Sequence, residues 1–121
     1  CYNEINIKEC YEHLNHAESL IEEHDDKYFI QDCIRNLKNI VNKRIKQIEK
    51  VYNFKSFYPN KHILEIYKEL GIVKGFVIRK LFIIRNDIEH NDLEYQDKEQ
   101  CNDLLDTVWY FLKSTDNLMV F

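Results

Sequence analysis

The amino-acid sequence predicts an all-α protein, a single up-down bundle of about five helices. Three observations carry that expectation. The 121 residues include only two glycines and one proline, too few for the frequent turns of a β architecture. Apolar residues recur at spacings of three and four along most of the chain, the period of a half-buried helix. An apolar content of 45% marks a globular chain, and its length suffices for a core without metal or disulfide staples.

Each element has its own stripe. Ile7, Cys10, Leu14, Ala17 and Ile21 mark a first helix. The polar run at 24–27 breaks it, and Asp25 or Asp26 is placed to cap the next helix. Ile30, Ile34, Leu37, Val41, Ile45, Ile48 and Tyr52 mark a long second helix from about Lys27, with no Gly or Pro inside. The stretch NFKSFYPN at 53–60 reads as a loop, with Pro59 suited to the approach or first turn of a helix. Ile63, Ile66, Tyr67 and Leu70 give a short third helix that Gly71 stops. A fourth, from about Ile72 to about His90, carries apolar residues nearly all round and is expected at the centre of the bundle. Asp97 followed by Gln100 resembles a capping box, and Cys101, Leu104, Leu105, Val108, Phe111 and Leu112 form the fifth helix, ending near Ser114.

One domain over residues 1–121 is expected, and the start at Cys1 and the apolar finish NLMVF suggest truncated termini. No signal peptide is visible, and Arg79 and Lys80 interrupt the most apolar segment. The expectation is a soluble, cytoplasmic protein with no membrane partner. Cys10, Cys33 and Cys101 fall on helical stripes and read as core residues. Together with Cys1 they show no C-x-x-C or zinc-type spacing, so neither a metal nor another cofactor is implied. His13, His16 and His24, which share the acidic first helix with Glu9, Glu12 and Glu23, read as solvated helix surface rather than a metal site.

The net charge of −4 conceals a polar distribution. Residues 1–34 hold two lysines against nine acids, whereas residues 35–62 hold eight cations against Glu49 alone. Lys38, Lys43, Arg44, Lys46 and Lys50 make this middle third a candidate RNA-binding footprint. The bland alternative is that an acidic first helix and a basic second helix are neighbours that partly neutralise each other. Tyr52, Phe54, Phe57 and Tyr58, mixed with Lys55 and Lys61, have the composition of a stacking surface but more ordinarily pack a loop on a bundle. Trp109, Tyr110 and Phe111 cannot all face one core, because consecutive helical residues point about 100° apart. That favours a homodimer.

The stretch RKLFIIRNDIEHNDLEY sets Arg85, Asn86 and His90 at the end of an apolar helix. A guanidinium can hold a phosphodiester and stabilise charge growing at phosphorus. An imidazole in a last helical turn is favoured in its charged form and can carry a proton near neutral pH. Asn86 can donate to a phosphate or accept from a ribose hydroxyl. Asn86 and His90 lie about 40° apart around the helix, but Arg85 and His90 about 140°. They meet at one ligand only if Arg85 swings round, the helix unwinds, or a second copy supplies one of the two. An ordinary reading stays open beside this: an ion pair of Arg85 with Glu89 and a capping His.

The run Arg85-Asn86-x-x-x-His90, set between an apolar and an amphipathic helix, resembles the R-x4-6-H motif of the HEPN superfamily, in which a polar residue commonly follows the Arg. LLDTVWYFLKSTDNL at 104–118 is similar to the closing helix of bacterial HEPN-like proteins. The resemblance implies a metal-independent endoribonuclease whose composite site forms across a homodimer, leaving 2′,3′-cyclic phosphate and 5′-OH ends. Its catalytic residues would be His90 for proton transfer, Arg85 for the scissile phosphate and Asn86 for orientation. It also implies a toxin or phage-defence component, partnered by RNA and by an antitoxin or fused domain. The alternative is a non-catalytic RNA-binding or dimerisation module of the same family. Asp87, Glu89, Asp92 and Glu94 crowd the motif with negative charge, which a catalytic site for RNA must turn away or pair.

Overall fold

The computed structural model describes residues 4–23, 27–90 and 98–119, with the backbone alone at 27 and 86–90. Six helices and no strand are present among the described residues: α1 (Glu4–Glu23), α2 (Lys27–Tyr52), α3 (Phe54–Phe57), α4 (Ile63–Glu69), α5 (Gly75–His90) and α6 (Lys98–Thr115), which ends in a 3-10 turn at Asp116–Leu118. The proposed caps at Asp25, Asp26 and Asp97, and also Cys1 and His24, lie outside the described residues.

The stripes become the core. Cys10, Leu14, Ala17 and Ile21 of α1 are buried against Ile34, Leu37, Val41 and Ile48 of α2 and Cys101, Leu105, Val108 and Leu112 of α6. The helices α1, α2 and α6 pack on one another, and α5 packs on α2, α4 and α6. The helix α5, expected at the centre, thus has three helix neighbours but is not enclosed all round. Val77, Ile78, Leu81 and Ile84 face inward, but Phe76 and Ile83 are about half exposed, at 48% and 45%.

The segment read as a loop at 53–60 contains α3. Asn53 takes a left-handed conformation and ends α2. The Glu49 carboxylate then receives the backbone N–H groups of Phe54 (3.0 Å) and Lys55 (3.1 Å), restarting a single helical turn. Tyr52 and Phe54 stack at 5.2 Å, and Phe54 meets Tyr67 edge-on, which seats the turn on the bundle. Phe57 and Tyr58 stay exposed. The aromatic cluster is thus split between packing and surface.

Gly71 stops α4 as expected. Its φ is +74°, and the N–H of Ile72 reaches the Tyr67 carbonyl while that of Gly71 reaches Lys68. These are the paired bonds of a Schellman ending. A Cβ at Gly71 would meet no atom within 4 Å, so the cost of Gly71→Ala is purely that of the left-handed backbone. Urea denaturation should show a loss of about 1 kcal/mol for Gly71→Ala and a smaller one for Gly71→Asn.

The three described cysteines are buried and unbridged. The thiol of Cys33 is pushed up by a hydrogen bond with Cys101 and by burial, so it stays protonated in the α2–α6 contact.

Candidate functional site

The candidate site begins on α5. Burial of Val77, Leu81 and Ile84 turns one face of the helix inward, and Arg85, next in sequence to Ile84, emerges half-buried at the rim. The helix continues without a break through Arg85 to His90. Unwinding before His90 is therefore not how the two would meet, and within one chain their Cα–Cβ directions diverge by about 140°. The side chains of Asn86, Asp87, Glu89 and His90 lie outside the described residues, as do Asp92 and Glu94.

Beside Arg85 stands His62. This residue precedes α4 as its N-cap, and its Nδ1 accepts the Leu64 N–H at 3.1 Å. Its ring packs beside that of Phe82 in a tilted arrangement, with centroids 4.8 Å apart. Phe82 and Arg85 are three apart on α5 and so adjacent on its surface. Arg85 Nη1 lies 3.4 Å from His62 Nε2. Burial, then the Arg85 cation, hold the imidazole below its usual range. Lys55 acts in the same sense and Glu65 opposes them. His62 is therefore neutral near pH 7. Lys55 is fixed close by, its Nζ donating to the carbonyls of Pro59 and Lys61, while Lys61 pairs with Glu69.

His62 was not legible as a site residue. Histidine is not among the favoured N-cap types, and 23 residues separate it from Arg85.

The basic footprint on α2 is reorganised by packing. Arg44 is fully buried and is not an RNA-binding residue. Its place three after Val41 and four before Ile48 puts it on the core stripe itself. Its Nη1 donates to the Leu112 carbonyl (3.1 Å), Thr115 Oγ1 (3.0 Å) and Asp116 Oδ1 (2.8 Å), closing the C-terminal end of α6. Tyr11 donates to the other Asp116 oxygen at 2.6 Å, tying α1 into the same cluster. Burial, and then that bond, drive the phenol well above its ordinary range.

Lys43 is bound to Glu9 across α1 and α2 at 2.7 Å, and this contact holds the Glu9 carboxyl below the usual range. The expectation that acidic and basic helices neutralise each other holds at this pair. Lys46 and Lys50 are exposed, and Lys38 is half-buried. Beside the Glu9–Lys43 pair, a cavity of about 280 Å³ opens between α1 and α2, lined by Cys10, His13, His16, Asn36, Asn39 and Lys43. Both histidines are exposed, as the sequence suggests, and also border this recess. No group of three metal-ligating side chains occurs among the described residues.

Of the aromatic triplet, Phe111 is wholly buried, whereas Trp109 and Tyr110 are exposed. Tyr110 borders a shallow depression with Phe76, Val77, Lys74 and Ser114. The apolar side chains left uncovered by the bundle thus include residues of both α5 and α6.

Among the described residues no helix is long and apolar enough to cross a membrane. Comparison of the chain with models of protein families, with curated proteins and with solved structures gave no match.

Proposed function

We propose that the chain binds RNA and cleaves it without a metal ion, with Arg85 holding the scissile phosphate, His90 transferring the proton and Asn86 orienting the reactants. The observation that carries this reading is the position of Arg85. It stands at the rim of α5 in an all-α chain, beside an imidazole, and is not drawn into the core as Arg44 is. The 140° divergence from His90 makes a composite site across two copies the natural arrangement, Arg85 of one facing His90 of the other. The uncovered Phe76, Ile83, Trp109 and Tyr110 on α5 and α6 supply apolar area suited to such a homodimer. A toxin or phage-defence role, held in check by an antitoxin or a fused domain, fits a small nuclease of this kind.

The test is incubation of the purified protein with mixed RNA in EDTA. Ends bearing 2′,3′-cyclic phosphate should appear. Arg85→Ala should slow cleavage by about 10²–10³-fold, as loss of a transition-state donor does. His90→Ala should slow it by about 10²–10⁴-fold, as loss of a general acid or base does. Unchanged rates in both variants would remove the assignment.

A second reading is a non-catalytic RNA-binding module. It is favoured by the exposed Lys46 and Lys50 on α2 together with exposed Phe57 and Tyr58 at α3, a cation and aromatic combination suited to single strands. RNA retention with no cleavage by the parent protein would select it, and its affinity should fall steeply with salt.

A further inference from the structure

The nature of the contact between His62 and Arg85 depends on which ring nitrogen of His62 carries the proton. The Leu64 N–H is received by His62 Nδ1 at 3.1 Å, so Nδ1 presents its lone pair and the proton of the neutral ring sits on Nε2. Guanidinium nitrogens donate and never accept. In the tautomer that the Leu64 bond selects, two N–H donors stand 3.4 Å apart, on two elements that packing holds in place. The ring is held by the bond from Leu64 and by its tilted packing beside Phe82. Neither donor points into the core, for His62 is exposed and Arg85 half-buried.

We infer that His62 and Arg85 together form a phosphate-binding site, in which one oxyanion receives the Nε2–H of His62 and the Nη1–H of Arg85. A tetrahedral oxyanion answers this geometry because one oxygen, or two adjacent ones, can accept from both donors at once. Lys55 adds a second positive charge to the neighbourhood of the ring, and Glu65 is the acid that opposes it.

His62 acts here as a binding residue and not as a proton carrier. Its Nδ1 lone pair is occupied by Leu64, so taking up a second proton would break the cap of α4. Identifying the natural occupant as an RNA phosphodiester rests on the function proposed above, whereas the oxyanion site rests on the donor geometry alone.

The experiment is a two-dimensional NMR titration of the full chain, following the histidine ring signals. The probes are inorganic phosphate and an uncleavable 2′-O-methyl dinucleotide. The His62 ring signals should shift saturably with both. Arg85→Gln should weaken each interaction at least about tenfold, the effect of removing a charge-assisted bond. His62→Asn keeps an oxygen able to cap α4 but shortens the donor, so it should weaken binding while the thermal midpoint stays near that of the parent.

A His62 ring unmoved by phosphate, or moved equally in Arg85→Gln, overturns the site. Phosphate binding without dinucleotide binding keeps the oxyanion site and overturns RNA as its occupant. Binding of both probes without RNA cleavage in EDTA keeps the site and removes the nuclease. Cleavage that is unaffected by His62→Asn, with no ring shift, removes this site and leaves the nuclease standing.

Discussion

Asp116→Ala should destabilise the protein by about 3 kcal/mol, lowering the thermal midpoint by roughly 10 °C, a large effect for a residue in a 3-10 turn near the end of the chain. The reason is Arg44. Its guanidinium is completely buried, Asp116 is its carboxylate partner at 2.8 Å, and its Nε and Nη2 are buried with no hydrogen-bond partner among the described residues. Removing the carboxylate leaves an uncompensated cation inside the bundle and also orphans the Tyr11 hydroxyl. The contrast with Arg44→Met is decisive. That variant keeps an unbranched side chain in the core and removes the charge together with its two unpartnered nitrogens, while Asp116, 24% exposed, can turn to water. Arg44→Met should therefore cost less than Asp116→Ala. Guanidinium denaturation with all three proteins gives the order. Arg44→Met emerging as the worse of the two would mean that the cation contributes more to α6 termination than its burial costs.

Phe111→Ala should cost about 3–5 kcal/mol, and Tyr110→Ala, one residue earlier, less than about 1 kcal/mol. Phe111 is fully buried among residues of the core cluster, with Tyr67 at a centroid distance of 6.4 Å. Truncation leaves a cavity at the meeting of α4 and α6. Tyr110 is 53% exposed, and its ring meets that of its exposed neighbour Trp109. Paired denaturation curves should reproduce a difference of at least about 2 kcal/mol. If Tyr110 is part of a dimer surface, Tyr110→Ala should instead show its effect as a concentration-dependent midpoint or a shift toward monomer in sedimentation.

Periodicity made the helices legible. The stripes at Cys10–Ile21, Ile30–Ile48 and Cys101–Leu112 depend only on which side of a helix is apolar, a property each segment carries without its neighbours. The stop at Gly71 was equally local, since a left-handed residue ends a helix wherever it occurs. Arg44 was within reach too. Its spacing from Val41 and Ile48 places it on the buried stripe, whereas its charge points to the surface, and position outweighs residue type here. Burial of that cation depended on three acceptors gathered at the end of α6, and nothing local to α2 announces them.

The restart at α3 depended on Glu49 reaching over the end of α2, and the exposure of Phe76 and Ile83 on α5 depended on which of its faces α2, α4 and α6 cover. The candidate site divides along the same line. The sequence by itself determined that Arg85 would follow the apolar stretch of a helix and that the chain would be all-α, because both depend on side-chain type and spacing along one segment. Only the tertiary structure decided that Arg85 would face His62, since the pairing requires the turn before α4 to be carried against Phe82 on α5. Contacts of that kind are set by how packed elements meet, and the chain's local preferences hold no record of them.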